Sequence, residues 1–248
     1  VRFDVLTLFP AMVEGPLSAS ILGRARAAGA FELGVHDLRA HGLGRHRTVD
    51  DTPYGGGSGM VMRVDVVAAA IEAVRRPDSH VVLTEPAGTR FDQSVARRFA
   101  GLPHLVVVCG HYEGVDARVR AHLVDEVVSI GDYVLTGGEY AATVIVDAVA
   151  RLLPGVLGNA DSIHEESFSP GLALEPPPYT RPRSFRGWDV PDVLLSGNHG
   201  EVARWRRSEG RALTRALRPD LPVEDEPAPK RRRRRTPATT LDGDEPGR

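Results

Sequence analysis

Five short apolar runs rich in β-branched residues, at 3–8, 31–38, 80–84, 105–109 and 126–130, alternate along this chain with helical periodicity at 18–28, 64–76, 93–100, 117–124 and 140–153. Runs of that length are strands, and strands that alternate with helices predict an α/β fold built on a parallel sheet covered by helices. The strand ends and the loops that follow them, 84–90, 109–116 and 130–139, then collect along one edge of the sheet. Open sheets of this class bind ligands at that edge.

After Pro154 the pattern stops. Residues 155–178 are rich in Gly, Ser and Pro, end in Pro176-Pro177-Pro178 and read as a linker. Helical patterns return at 198–207 and 211–217, where Trp205 lies among arginines. The plan expected is a ligand-binding domain over 1–154, a flexible linker over 155–178, a small helical C-terminal domain over 179–219 and a disordered charged tail over 220–248. Charge follows this plan. Residues 1–178 hold 15 arginines against 22 acidic residues, net −7, and 179–219 hold nine against four, net +5. A basic module on an acidic body suits a polyanion, since each arginine near a phosphate releases a condensed counterion. The tail balances seven basic against seven acidic residues, with six of the basic ones in the block 230–235. No apolar segment approaches the roughly 20 residues of a bilayer span, so a cytoplasmic protein with no membrane partner is expected. Cys109 is the single cysteine, which excludes an intrachain disulfide and a multi-cysteine zinc site.

The run Tyr54-Gly55-Gly56-Gly57-Ser58-Gly59-Met60 suggests a phosphate loop until its details are compared. No lysine follows the last glycine, the dinucleotide spacing is absent, and Met60 stands where a nucleophile elbow needs glycine. Nucleotide hydrolysis, hydride transfer and serine hydrolysis lose support. The longer string His46-Arg47-Thr48-Val49-Asp50-Asp51-Thr52-Pro53-Tyr54 leading into the glycines is far more specific. With it go Val108-Cys109-Gly110-His111-Tyr112-Glu113-Gly114, Ser129-Ile130-Gly131-Asp132-Tyr133-Val134-Leu135-Thr136-Gly137-Gly138-Glu139, Pro154-Gly155-Val156-Leu157-Gly158 and Val193-Leu194-Leu195-Ser196-Gly197-Asn198-His199. On these five strings the chain resembles the bacterial tRNA (guanine-N1)-methyltransferases of the SPOUT superfamily, from its first strand to about Arg218.

The resemblance implies a SPOUT-type parallel sheet with a deep trefoil knot, whereas periodicity alone predicts an unknotted doubly wound sheet. It implies methylation of N1 of the guanosine at tRNA position 37, just 3′ of the anticodon, with S-adenosylmethionine as methyl donor. It carries cofactor binding onto Pro86, Gly110, Tyr112, Glu113, Ile130, Gly131, Asp132, Tyr133, Val134, Leu135, Gly137 and Gly138. Glu113 has three readings: a neighbour of the sulfonium, a contact for the target guanine, or a group that helps position a metal. The N1 proton of guanine must leave and charge develops on O6, so a base and a cation are needed. The family pairs an arginine with an aspartate; here these positions are Arg151 and Glu166. Asp161, His164 and Glu165 compete with Glu166 for the role of base. A Mg²⁺ requirement and a homodimer whose sites span both subunits are also implied. Two rivals remain at this point: a non-catalytic RNA-binding protein, and a SPOUT enzyme acting on ribose or on another base.

Overall fold

The computed structural model describes residues 1–159, 166–169 and 174–223. The chain divides into two compact units, Val1–Glu166 and Ser167–Arg248. That division falls inside the segment expected as a linker. Asp161, His164, Glu165, the arginine block and most of the expected tail lie outside the described residues. Among the described residues no helix is long and apolar enough to cross a membrane.

The first unit runs β1 (Arg2–Thr7), α1 (Pro10–Leu17), α2 (Ser20–Ala27), β2 (Glu32–Asp37), a 3₁₀ turn (Leu38–His41), β3 (Asp50–Asp51), β4 (Val61–Met62), α3 (Val64–Val74), β5 (Ser79–Arg90), α4 (Gln93–Ala100), β6 (His104–Cys109), α5 (Ala117–His122), β7 (Glu126–Ser129) and α6 (Glu139–Ala150). Five strands form one sheet in the order β2-β1-β6-β5-β7, every pair parallel. This is the parallel α/β sheet that the alternation predicts. Side chains alternate faces along each strand, and the central strand β6 is buried on both faces. Leu105, Val107 and Cys109 of β6 join Phe3, Phe99 and Ile145 in one core. Val106 and Val108 join Leu38, Met62 and Ile71 in the other.

Three elements differ from the periodicity. α1 was hidden by Pro10, Gly15 and Pro16: Pro10 opens the helix where no amide partner is needed, and Pro16 falls one residue before it ends. The short antiparallel pair β3–β4 lies outside the main sheet. β5 reaches Arg90 instead of ending at Thr84, because it pairs with β7 twice, through Val82–Thr84 and again through Thr89–Arg90. Between those pairings Gly88 passes so close to β7 that a methyl group on it would lie 2.5 Å from the Val128 nitrogen.

At the N-terminal strand ends, away from the ligand edge, Asp4 is 1% exposed and is held by four hydrogen bonds. Arg2 donates at 2.7 and 2.9 Å, and His36 and His104 contact it through Nε2 at 2.7 and 2.8 Å. His104 Nδ1 meets Ser79 Oγ at 2.7 Å, so the first residues of β5 and β6 share the network. Burial raises the Asp4 carboxyl, but the bonds from Arg2, His36 and His104 outweigh it and hold the group below its ordinary value.

In the second unit, a hairpin of β8 (Ser184–Phe185) and β9 (Trp188–Asp189) precedes α7 (Asp192–Leu195) and α8 (His199–Leu217). Two helical patterns were expected where one helix of 19 residues runs through Gly210. The reason is packing. A methyl group on Gly210 would meet the Leu174 carbonyl at 2.7 Å, and buried Thr214 accepts the Leu174 amide at 3.2 Å. The glycine lets the Leu174 backbone lie against the helix where a side chain would bar it.

Candidate active site

A cleft of about 370 Å³ opens at the C-terminal ends of β5, β6 and β7, within the range of small-molecule sites. Its walls come from Thr84–Ala87 after the first part of β5, Gly110–Val115 after β6, and Ser129–Gly138 after β7. Pro86, Gly110, Tyr112, Glu113, Ile130, Gly131, Tyr133, Val134, Leu135, Gly137 and Gly138 all line it. Asp132 does not. A tight turn closed by the Tyr133 amide on the Gly131 carbonyl at 3.0 Å leaves Asp132 exposed at its outer corner.

The walls are locked by close backbone approach. The Gly138 amide donates to the Gly110 carbonyl at 2.7 Å, and His111 and Gly137 form an antiparallel bridge. A methyl group on Gly138 would overlap Thr84 Oγ1 and lie 2.9 Å from both the Cys109 Cα and the Gly110 nitrogen. On the far side, the Glu113 amide donates to the Met60 carbonyl at 3.0 Å and Gly59 packs directly on the Glu113 side chain. The glycine run thus braces a wall of the cleft. Tyr112 sits at φ 59°, a left-handed conformation uncommon for an aromatic residue. Burial pushes its hydroxyl up.

Two side chains not singled out from the sequence stand behind this wall. Glu139 is 1% exposed at the start of α6 and accepts the Thr7 hydroxyl at 2.7 Å. Its other oxygen is 3.8 Å from His111 Nδ1, a buried nitrogen without a hydrogen-bond partner among the described residues. A side chain on Gly137 would overlap both groups. Burial, with Glu139 adding to it, drives the Cys109 thiol well above its ordinary value, so this cysteine is inert packing. Both residues stood inside the matched strings, but an acidic residue at a helix start reads as a partner of the helix dipole.

Arg151 caps the C-terminus of α6 and clamps Glu166 with two parallel bonds of 2.5 and 2.6 Å. The Arg151 bonds hold the Glu166 carboxyl below its usual value, against a smaller effect of burial, and Glu166 in turn raises Arg151. Neither residue lines the cleft. The cleft lies at the N-terminal end of α6, and 12 helical residues separate it from Arg151, a rise of about 18 Å.

The cleft's size and close glycine walls suit a small organic ligand bound against backbone groups. Among the described residues no three His, Cys, Asp or Glu side chains are placed to hold a metal ion, so the magnesium expected from the resemblance has no preformed cage there.

A family model described as tRNA (Guanine-1)-methyltransferase TrmD matches residues 1–224. A tRNA (guanine-N(1)-)-methyltransferase of Chloroflexus aggregans is 60% identical over 224 residues, covering 89% of this chain and 87% of that protein. Proteins with the same name from Geobacter sulfurreducens and Dictyoglomus turgidum are 56% and 52% identical, each over 89% of this chain and over 91% and 89% of their own lengths. The chain therefore belongs to the tRNA (guanine-1)-methyltransferase TrmD family.

Proposed function

We propose that this chain methylates N1 of the guanosine at tRNA position 37, taking the methyl group from S-adenosylmethionine. The observation that carries the reading is the cleft at the C-terminal strand edge, walled by the same loops that the resemblance assigns to the cofactor. Bound there, S-adenosylmethionine supplies an electrophilic methyl group on a sulfonium. Gly110, Gly131, Gly137 and Gly138 let the backbone approach it, while the solvent-exposed Tyr133, Val134 and Leu135 offer it an apolar flank.

The chain's own residues handle the proton and the charge. The edge of guanine offers an N1–H donor beside an O6 acceptor, the complement of a carboxylate beside a guanidinium. Glu166 takes the N1 proton, and Arg151 stabilises the negative charge on O6. Free of substrate, the two satisfy each other. Guanine that inserts between them parts Glu166 from the group that depresses its basicity, so the base strengthens as substrate binds.

A pair about 18 Å along α6 from the cleft of its own chain serves the cleft of a second copy. That distance supports a homodimer with each site completed across subunits. The knotted SPOUT topology belongs to the same proposal. The net +5 segment 179–219 supplies tRNA contacts in a cytoplasmic enzyme.

Incubation with methyl-labelled S-adenosylmethionine and tRNA transcripts that differ only at position 37 tests the reading. Label enters the transcript with guanosine there and not the one with adenosine. Equal labelling of both, or of neither, overturns it.

A further inference from the structure

The second unit carries an aromatic feature that the reading above does not use. β8 and β9 are joined by Arg186 at φ 54° and Gly187 at φ 83°, the two left-handed positions of a tight hairpin turn. Phe185 and Trp188 face each other across the turn with ring centroids 6.0 Å apart. They are 52% and 69% exposed. The Arg186 guanidinium lies 5.1 Å above the Phe185 ring. Among the described residues, the ring contact of Trp188 is with Phe185, and most of the indole faces solvent.

Two rings of this kind expose about 300–500 Å² at most, short of the roughly 800 Å² per partner of a stable protein interface. A flat indole beside an arginine, in a segment of net +5, matches a base and its phosphate.

We infer that this hairpin is a base-stacking contact for tRNA: Trp188 stacks on an unpaired base and Arg186 sits at an adjacent phosphate. This rests on the tRNA reading and adds to it where an unpaired base is held. Stacking has no counterion to release, so it is separable from phosphate contact by salt dependence.

The experiment measures the affinity of a tRNA transcript by fluorescence anisotropy over a range of salt for the full chain and its variants. Trp188→Ala weakens binding about five- to 150-fold, the equivalent of about 1–3 kcal/mol, and leaves the slope of log affinity against log salt unchanged. Trp188→Phe keeps most of the affinity. Arg186→Ala lowers the slope by about one. S-adenosylmethionine affinity and the mass by light scattering stay the same in all three. Wild-type affinity in Trp188→Ala overturns the inference. So does a changed slope in that variant, or a changed mass, which makes the hairpin an interface between copies. Absence of salt-dependent tRNA binding by the wild type sinks the tRNA reading and the inference with it, whereas a wild type that binds beside an unaffected Trp188→Ala sinks the inference alone.

Discussion

Gly138→Ala should cripple cofactor binding while leaving the chain folded. The added methyl group would overlap Thr84 Oγ1, which can rotate, and would stand 2.9 Å from the Cys109 Cα and the Gly110 nitrogen, which cannot. Those atoms lie at the end of β6, where Cys109 pairs with Thr84 of β5. The loop before α6 must therefore move outward, and the 2.7 Å bond from the Gly138 amide to Gly110 is lost. Overpacking costs about 1–3 kcal/mol and the lost bond about 0.5–1.5, so about 1.5–4.5 kcal/mol falls on the geometry of the cleft wall. Read entirely as affinity, that is roughly 10- to 2,000-fold in Kd. Calorimetric titration with S-adenosylmethionine, run beside thermal denaturation, divides the cost between binding and stability. Gly15→Ala is the control, because nothing lies within 4 Å of its new methyl group and helix α1 gains about 0.5–1 kcal/mol. If Gly138→Ala binds cofactor with unchanged affinity and melts at the wild-type temperature, the close approach of the two loops does not shape the site.

Glu166→Gln should slow single-turnover methylation about 10²- to 10⁴-fold while cofactor affinity barely changes; a normal rate would move the base to Asp161, His164 or Glu165. Asp4→Ala should cost about 1–3 kcal/mol in denaturant unfolding by leaving the buried His104 Nε2 without its acceptor. The Asp4 carboxyl is held low, so its stabilisation is full above the ordinary carboxylate range and fades as pH falls through the lowered value. The variant should accordingly lose part of the acid sensitivity seen below about pH 4, and identical acid profiles would refute the assignment. Light scattering should give twice the chain mass of 26.8 kDa, and a fully active monomer would contradict the shared site.

The central strand was legible because burial on both faces writes it as an unbroken apolar run, Leu105 to Cys109, while β2 at the edge kept apolar residues at Leu33 and Val35. What the runs left out was set by tertiary contact. Nothing local in Gly88, Thr89 and Arg90 announces the second pairing with β7, and nothing local at Gly210 announces that Leu174, far away in sequence, packs against it. The cleft loops were legible from their glycines, which mark where chains must approach. Asp132 stands outside the cleft lining, which a matched string does not show, since it does not tell which residue a tight turn faces outward. Glu139 was passed over for the opposite reason: its role appears only once β1 brings Thr7 to it.

The most direct test of the account is the identity of the nucleoside formed. After incubation of guanosine-37 tRNA with S-adenosylmethionine and enzyme, digestion and mass analysis against standards should give 1-methylguanosine at position 37. A methyl group on ribose, on N7 or N2, or at any other position would contradict the assignment of the guanine edge to Glu166 and Arg151.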